Sequence, residues 1–160
     1  MGLFRRSAAG LVGSRAPELK GITGWVNTEP FALSSLRGSV VLLEIWTFDC
    51  INCVRTLPGL RDLYERYRDR GVEIVGVHTP EFEHERGEAA VRAACERLGV
   101  TWPVAVDDAF EIWNAYANRF WPHLWVIDRT GTIRAHFVGE GHDRDVVSTV
   151  ESLLSERSQP

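Results

Sequence analysis

Apolar and polar positions alternate along the chain in a way that predicts a succession of strands and helices. Residues 40–47 (VVLLEIWT) are apolar on both faces, which is typical of a buried central strand. Residues 50–70 follow with apolar side chains at helical spacing, and residues 72–78 (VEIVGVH) predict a second buried strand. Residues 16–38 contain several glycines and short apolar stretches, which indicate a hairpin or short strands that lead into this core.

The second half of the chain repeats this alternation with shorter elements. Residues 83–98 carry apolar side chains at the i, i+3, i+4 and i+7 positions of a helix. Two strands joined by the turn DRTG are predicted at residues 123–127 and 132–138. A short strand and two helices complete the pattern, at residues 103–106, 107–117 and 143–154. The order β-α-β-α-β-α-β-β-α predicts an α/β fold, in which a mixed sheet has helices on both faces.

Length and composition place the chain among single-domain globular proteins. It has 160 residues, of which 44% are apolar and 25% are charged, and this excludes a disordered chain and a coiled coil. The formal net charge of −4 argues against a nucleic acid as partner, because phosphate binding needs an excess of basic residues. No apolar run approaches the roughly 20 residues that span a bilayer, so we expect no membrane segment.

The N-terminus is similar to an export signal only in part. Arg5 and Arg6 precede a weakly apolar stretch, but no convincing cleavage site follows it. We therefore expect residues 1–15 to form a flexible arm and residues 16–157 to form one domain of a cytoplasmic protein. An exported or periplasmic location is the alternative.

Two of the three cysteines form the motif Cys50-x-x-Cys53, directly after the buried strand and at the start of the helix. The unpaired N–H groups and positive dipole end of a helix N-terminus stabilise a thiolate, so Cys50 is predicted to be the attacking sulfur. Cys53 follows one turn later and can resolve a mixed disulfide. Half of a structural zinc site is the alternative, but such a site needs four ligands and no second pair exists. We expect no metal and no other cofactor.

Glu44 is a carboxylate inside the otherwise apolar strand. Desolvation raises the pKa of a buried carboxyl group toward neutrality, which suits a proton carrier for Cys53. The alternatives are a position near a sheet edge and a buried pair with a basic group. Cys95 lies on the apolar stripe of its helix, where a core residue is expected and a second redox thiol is the alternative.

Aromatic residues and prolines add further candidates. Trp46 and Trp121 are the tryptophans most expected to line the active site, and Pro122 stands before a strand, where a cis peptide bond is a plausible feature. Pro58 lies inside the predicted first helix and should kink it. His78, at the end of a buried strand, is the histidine that we place nearest the two cysteines.

Together these residues resemble the thioredoxin superfamily. The segments WTFDCINCVRTLP, GVHTPEF and WNAYANRFWP resemble more narrowly the thioredoxin-like domain of DipZ-type proteins, on the TlpA-like side of the superfamily. The resemblance implies a thioredoxin-like fold with an N-terminal hairpin and an inserted helix. It also implies a thiol–disulfide oxidoreductase in which Cys50 is the nucleophile, Cys53 resolves, and a cis Pro122 faces the dithiol while Trp121 helps dock the partner's backbone.

The resemblance implies partners as well. They are protein disulfides or dithiols together with an upstream thiol reductant, and the chain is expected to be a monomer. Two positions depart from the family pattern: Thr56 stands where many TlpA-like domains have Glu, and Ile51-Asn52 replaces the Gly-Pro of thioredoxin. The direction of electron flow therefore stays open.

Two other functions compete with disulfide exchange. A thiol peroxidase is one, because Thr47 precedes Cys50 by three residues as in peroxiredoxin-like sites, although Leu43 stands where those sites have Pro. A copper-delivery module that uses both active-site cysteines with His136 or His142 is the other.

Overall fold

The computed structural model of the chain, which describes residues 6–156, is a six-stranded mixed sheet with four α-helices. The strands are β1 Gly24–Val26, β2 Val40–Trp46, β3 Val72–His78, β4 Val104–Val106, β5 His123–Ile127 and β6 Ile133–Val138. The helices are α1 Ile51–Tyr67, α2 Glu88–Leu98, α3 Glu111–Ala115 and α4 Asp143–Ser155. The predicted α/β fold is confirmed.

The sheet topology brings the ends of β2 and β5 together. The strand order is β1-β4-β3-β2-β5-β6, so β2 lies inside the sheet, parallel to β3 and antiparallel to β5. Ile45 of β2 pairs with His123 of β5. Because Trp46 follows in one strand and Pro122 precedes in the other, the proline lies level with the end of β2, where α1 begins.

Both faces of the sheet are covered, and all seven residues of β2 are buried. One core contains side chains of α1, α2 and α4, among them Leu57, Val91 and Val150. The opposite core contains side chains of α3 and of the N-terminal segment, among them Ile112 and Leu11. Full burial of an aliphatic side chain stabilises a fold by about 1.5–3 kcal/mol, which explains why the central strands are apolar on both sides.

α1 is the longest helix, with 17 residues, and Pro58 lies inside it without ending it. The kink that we expect at this proline stays a prediction. None of the helices within residues 6–156 has both the length and the apolar composition needed to cross a bilayer.

Several boundaries differ from the sequence prediction. The helix predicted from residue 83 begins at Glu88, after a separate 3-10 turn at Glu83–Glu85. β1 pairs with β4 instead of forming a local hairpin, and the 3-10 turn Leu33–Leu36 follows it. A hairpin forms between strands that are adjacent in the sequence, whereas the partner of β1 is β4, which comes much later in the chain.

The N-terminal segment docks on the sheet. Leu11 is buried, the Gly13 N–H donates to the Ile133 carbonyl at 2.8 Å, and the Ile133 N–H donates to the Ser14 carbonyl at 2.9 Å. The prediction of a flexible arm is therefore wrong for these residues, because one apolar side chain and the edge of β6 hold them. Residues 1–5 of the predicted arm and residue 157 of the predicted domain lie outside the described part of the chain.

Candidate active site

The two cysteines occupy the start of α1 with different exposure. Cys50 is the N-cap residue and is partly exposed, whereas Cys53 is fully buried, and both are free thiols. Burial raises the pKa of the Cys53 thiol, a backbone hydrogen bond from Thr47 partly offsets that rise, and a hydrogen bond with Cys50 adds to it. An outer sulfur that a partner can reach thus stands next to an inner sulfur that it cannot.

The segment before β5 lies beside the outer cysteine. The Trp121–Pro122 peptide bond is cis, and the Trp121 carbonyl oxygen lies 4.0 Å from the Cys50 sulfur. The Trp121 indole donates to the Thr79 carbonyl at 2.8 Å and packs on Trp113 with ring centroids 4.2 Å apart. This carbonyl is therefore held in place next to the reactive sulfur.

Glu44 lies in the interior on β2, with 2% of its surface exposed. Burial raises the pKa of its carboxyl group to about 8, and a hydrogen bond from Thr56 partly opposes the rise. The Thr56 hydroxyl lies 3.0 Å from Glu44 Oε1 and 2.7 Å from the Cys53 carbonyl oxygen. None of the ion pairs between residues 6 and 156 includes Glu44. Both alternatives, a sheet-edge position and a buried pair, therefore fail.

A groove of about 50 Å³ leads to this carboxyl group from the surface. Glu44, Thr56 and Pro122 share its wall with mainly apolar side chains, which include Leu60 and Phe137. The candidate proton carrier, its hydrogen-bond partner and the cis proline therefore meet in one place.

Trp46 does not reach the surface. Only 1% of it is exposed, and its ring meets His78 edge-on with centroids 5.2 Å apart. Its predicted role in binding the partner is wrong, because strand alternation assigns a side chain to a face but does not reveal that the face is covered. His78 contacts the loop that leads into Cys50: its Nε2 accepts a hydrogen bond from the Phe48 N–H at 3.2 Å.

Glu85 is a residue of the site that sequence reasoning missed. It is fully buried, and one of its carboxylate oxygens accepts hydrogen bonds from the Thr47 hydroxyl and from the Asp49 N–H. In the sequence it stands in the polar run EFEHERGE, which gives no signal of burial.

This geometry gives little support to the two competing functions, a thiol peroxidase and a copper-delivery module. The buried Thr47 hydroxyl donates to Glu85, so it is not directed at Cys50 as a peroxidase site requires. His136 hydrogen-bonds His123 at 2.9 Å, and His142 donates to the Val138 carbonyl at 2.8 Å. In the part of the chain that the structure describes, no group of three or more His, Cys, Asp and Glu residues could hold a metal ion.

Cys95 is 1% exposed within the core between α1, α2 and the sheet, as expected of a core residue. Burial raises the pKa of its thiol to about 11, so a thiolate at this position is disfavoured at neutral pH.

Comparison with known proteins assigns the chain to a family. The model of the AhpC/TSA family matches residues 12–136, which includes both cysteines and Pro122. The chain belongs to the AhpC/TSA family. Among thioredoxin-like proteins of solved structure, one superfamily member with 27% identity covers 91% of this chain and 99% of its own, with a TM-score of 0.83. The thioredoxin-like fold implied by the sequence is confirmed.

Two relatives define the position of this family member more closely. Protein DipZ of Mycobacterium bovis is 43% identical over 148 residues, which are 91% of this chain and 21% of DipZ. The chain thus spans about a fifth of the DipZ length. The thiol–disulfide oxidoreductase ResA of Geobacillus kaustophilus is 30% identical over 150 residues, which are 94% of this chain and 82% of ResA. The resemblance to a DipZ-type domain on the TlpA-like side is confirmed.

Proposed function

We propose that this thiol–disulfide oxidoreductase exchanges disulfides with protein partners through Cys50 and Cys53. The enzyme class follows from the family and from its ResA relative. The observation that carries the residue roles is the pairing of a partly exposed Cys50 with a fully buried Cys53, beside the carbonyl of Trp121.

The first step joins enzyme and partner. In the reducing direction, the Cys50 thiolate attacks one sulfur of the partner's disulfide, which forms a mixed disulfide and releases the other partner sulfur as a thiolate. Unpaired N–H groups at the start of α1 stabilise the attacking thiolate. The partner backbone lies along Trp121 and Pro122, and the neighbouring Ile51, which is 61% exposed, offers it an apolar contact.

The second step releases the partner. Cys53 loses its proton and attacks the Cys50 sulfur, so the Cys50–Cys53 disulfide forms and the partner leaves as a thiol after taking up a proton. Two electrons have then passed from the enzyme to the partner. An upstream thiol reductant restores the dithiol by the reverse exchange, and an oxidising enzyme would run the same steps backward.

Glu44 is the group that we assign to the Cys53 proton. With a pKa of about 8 it exists in both forms near neutral pH, so its carboxylate can accept a proton and its acid form can return one. The groove gives this carboxyl group a route to solvent along Thr56.

The hydroxyl of Thr56 can serve both forms of Glu44. It carries one hydrogen and lies within hydrogen-bond distance of two acceptors. When Glu44 is protonated, the acid donates to Thr56 and the hydroxyl donates to the Cys53 carbonyl. When Glu44 is ionised, the hydroxyl turns and donates to the carboxylate. The proton carrier therefore keeps a partner in each charge state.

Cysteine variants test this function directly. With a disulfide-bonded protein substrate and dithiothreitol as reductant, Cys50→Ala should abolish exchange. When the pre-reduced Cys53→Ala variant meets the same substrate without dithiothreitol, it should accumulate a mixed disulfide through Cys50. Cys95→Ala is the matched control and should retain the wild-type rate. Full activity of Cys50→Ala would refute the assignment.

A further inference from the structure

Glu85 is a buried charge that the steps above do not use. It is 0% exposed, and no ion pair among the described residues includes it. A buried carboxylate without a basic partner is costly unless several hydrogen bonds replace its hydration.

Four donors supply that replacement. Oε1 accepts from the N–H groups of Glu81 at 3.0 Å and Phe82 at 2.7 Å. Oε2 accepts from the Thr47 hydroxyl and from the Asp49 N–H at 3.1 Å. Although burial raises the pKa of this carboxyl group, the four hydrogen bonds outweigh it and hold the pKa below its usual value. Glu85 is therefore a carboxylate at neutral pH.

The two oxygens bind different segments of the chain. Oε1 closes the turn that contains Glu85 itself, whereas Oε2 binds the loop between β2 and α1, which leads into Cys50. His78 secures the same loop, since its Nε2 accepts from the Phe48 N–H. Burial lowers the pKa of His78 to about 4, so the ring is neutral and can accept that bond.

The held loop also touches the inner sulfur. The residue whose hydroxyl binds Glu85, Thr47, makes a backbone hydrogen bond to Cys53, and this bond favours the thiolate that attacks in the second step. Two hydrogen bonds of Thr47, one from its hydroxyl and one from its backbone, thus connect Glu85 to Cys53, which lies 32 residues earlier in the chain.

We propose that Glu85 is a positioning residue for the resolving step, which holds Thr47 so that its backbone stays directed at the Cys53 sulfur. The inference rests on the proposed function. Glu85 touches neither sulfur, so its effect passes through the loop, and it bears on the attack by Cys53 more than on the attack by the partly exposed Cys50.

Ellman's reagent separates the two steps. Attack by Cys50 releases the first thionitrobenzoate and leaves the second one in a mixed disulfide, which attack by Cys53 then releases. Glu85→Gln keeps the size of the side chain. It replaces one of the two acceptor oxygens by an NH₂ group, which cannot accept the hydrogen bonds of the two donors at that position. We expect the second release to slow about tenfold or more, since a lost hydrogen bond to a charged group corresponds to that factor, while the first release changes less than about threefold.

Glu83→Gln is the matched control. This carboxylate lies two residues away, is 91% exposed and pairs with Arg86 at 3.0 Å. Both release rates of this variant should equal those of the wild type.

Equal slowing of both releases in Glu85→Gln would overturn the proposal, and so would two unchanged rates. If this variant does not fold, Thr47→Val and Thr47→Ser decide: the valine should slow the second release alone and the serine should restore it, and any other pattern refutes the role. A wild-type protein that releases only one equivalent would instead contradict the proposed function.

Discussion

Two buried carboxyl groups belong to the site, and their surroundings shift their pKa values in opposite directions. Glu44 is 2% exposed, has the Thr56 hydroxyl as its side-chain partner, and has a pKa raised to about 8 by burial. Glu85 is 0% exposed and accepts four hydrogen bonds, which hold its pKa below the usual value despite burial. Both side chains are almost inaccessible to solvent, but Glu85 accepts four hydrogen bonds that favour its carboxylate, whereas Glu44 has one such bond to set against desolvation.

Their positions match these charge states. Glu44 projects from a rigid central strand into a groove, where a group that gains and loses a proton needs access to solvent. Glu85 closes a turn and holds the loop before Cys50, where a permanent acceptor is needed. One carboxyl group is placed to move a proton, and the other is placed to keep the backbone still.

The largest expected effect comes from removing the fixed charge. Glu85→Ala leaves three backbone N–H groups and the Thr47 hydroxyl without their acceptor, and each buried orphan costs about 1–3 kcal/mol. We expect the free energy of unfolding at pH 7 to fall by about 5 kcal/mol, measured with urea on the reduced protein. A loss below about 1 kcal/mol would mean that water satisfies these donors equally well.

Removing the titrating carboxyl should have a smaller effect of opposite sign. The folded-state pKa of Glu44 lies above its unfolded value of 4.5, so stability is fully present below pH 4.5 and is lost as the pH rises toward 8. Between pH 5.5 and pH 8 the wild type should lose about 3 kcal/mol relative to Glu44→Gln. Urea titrations of both proteins across this range measure the difference. If the free energies of unfolding of the two proteins changed with pH in parallel, the carboxyl group of Glu44 would be solvated in the folded protein. Glu140→Gln, at the groove mouth, should follow the wild type.

A finer change alters the single donor of Glu44. Thr56→Val removes the hydrogen bond that lowers the carboxyl pKa, so the pKa should rise by about one unit. The pH dependence of the second thionitrobenzoate release should shift upward with it. Thr56→Ser keeps the hydroxyl and should keep the wild-type profile. Identical profiles in all three proteins would show that Thr56 does not influence the pKa of Glu44.

The smallest effect is expected at an exposed carboxylate near the same site. Asp49 directly precedes Cys50 and pairs with His84 at 2.8 Å, but both side chains are more than half exposed. Water screens such a pair, so Asp49→Asn should change the rate of the first release by less than about threefold. A larger change would show that a solvent-exposed charge near the dithiol affects the rate of attack by Cys50.

The sequence was sufficient for the parts of the site that depend on local pattern. A carboxylate inside an apolar strand, a Cys-x-x-Cys motif at the start of a helix and a proline before a strand all have local signatures. In the structure Glu44 and Pro122 line one groove, and the Cys50 sulfur lies beside the Trp121 carbonyl. The burial of both faces of β2 was readable in the same way.

Contacts between distant segments could not be read from local pattern. Glu85 stands in a polar run, and only the fold reveals that the loop 36 residues before it supplies the Asp49 donor. Leu11 docks because β6 lies beside it, and Trp46 is covered because helices pack on the sheet. Each of these outcomes depends on tertiary packing, which overrides a local signal.

A ¹³C NMR titration of the glutamate carboxyl groups in the reduced protein shows whether Glu44 titrates near neutral pH while Glu85 stays ionised. Loss of one signal in Glu44→Gln and of another in Glu85→Gln assigns the two resonances. We expect a midpoint near pH 8 for Glu44 and one below 4.5 for Glu85. Two midpoints near 4.5 would contradict this expectation.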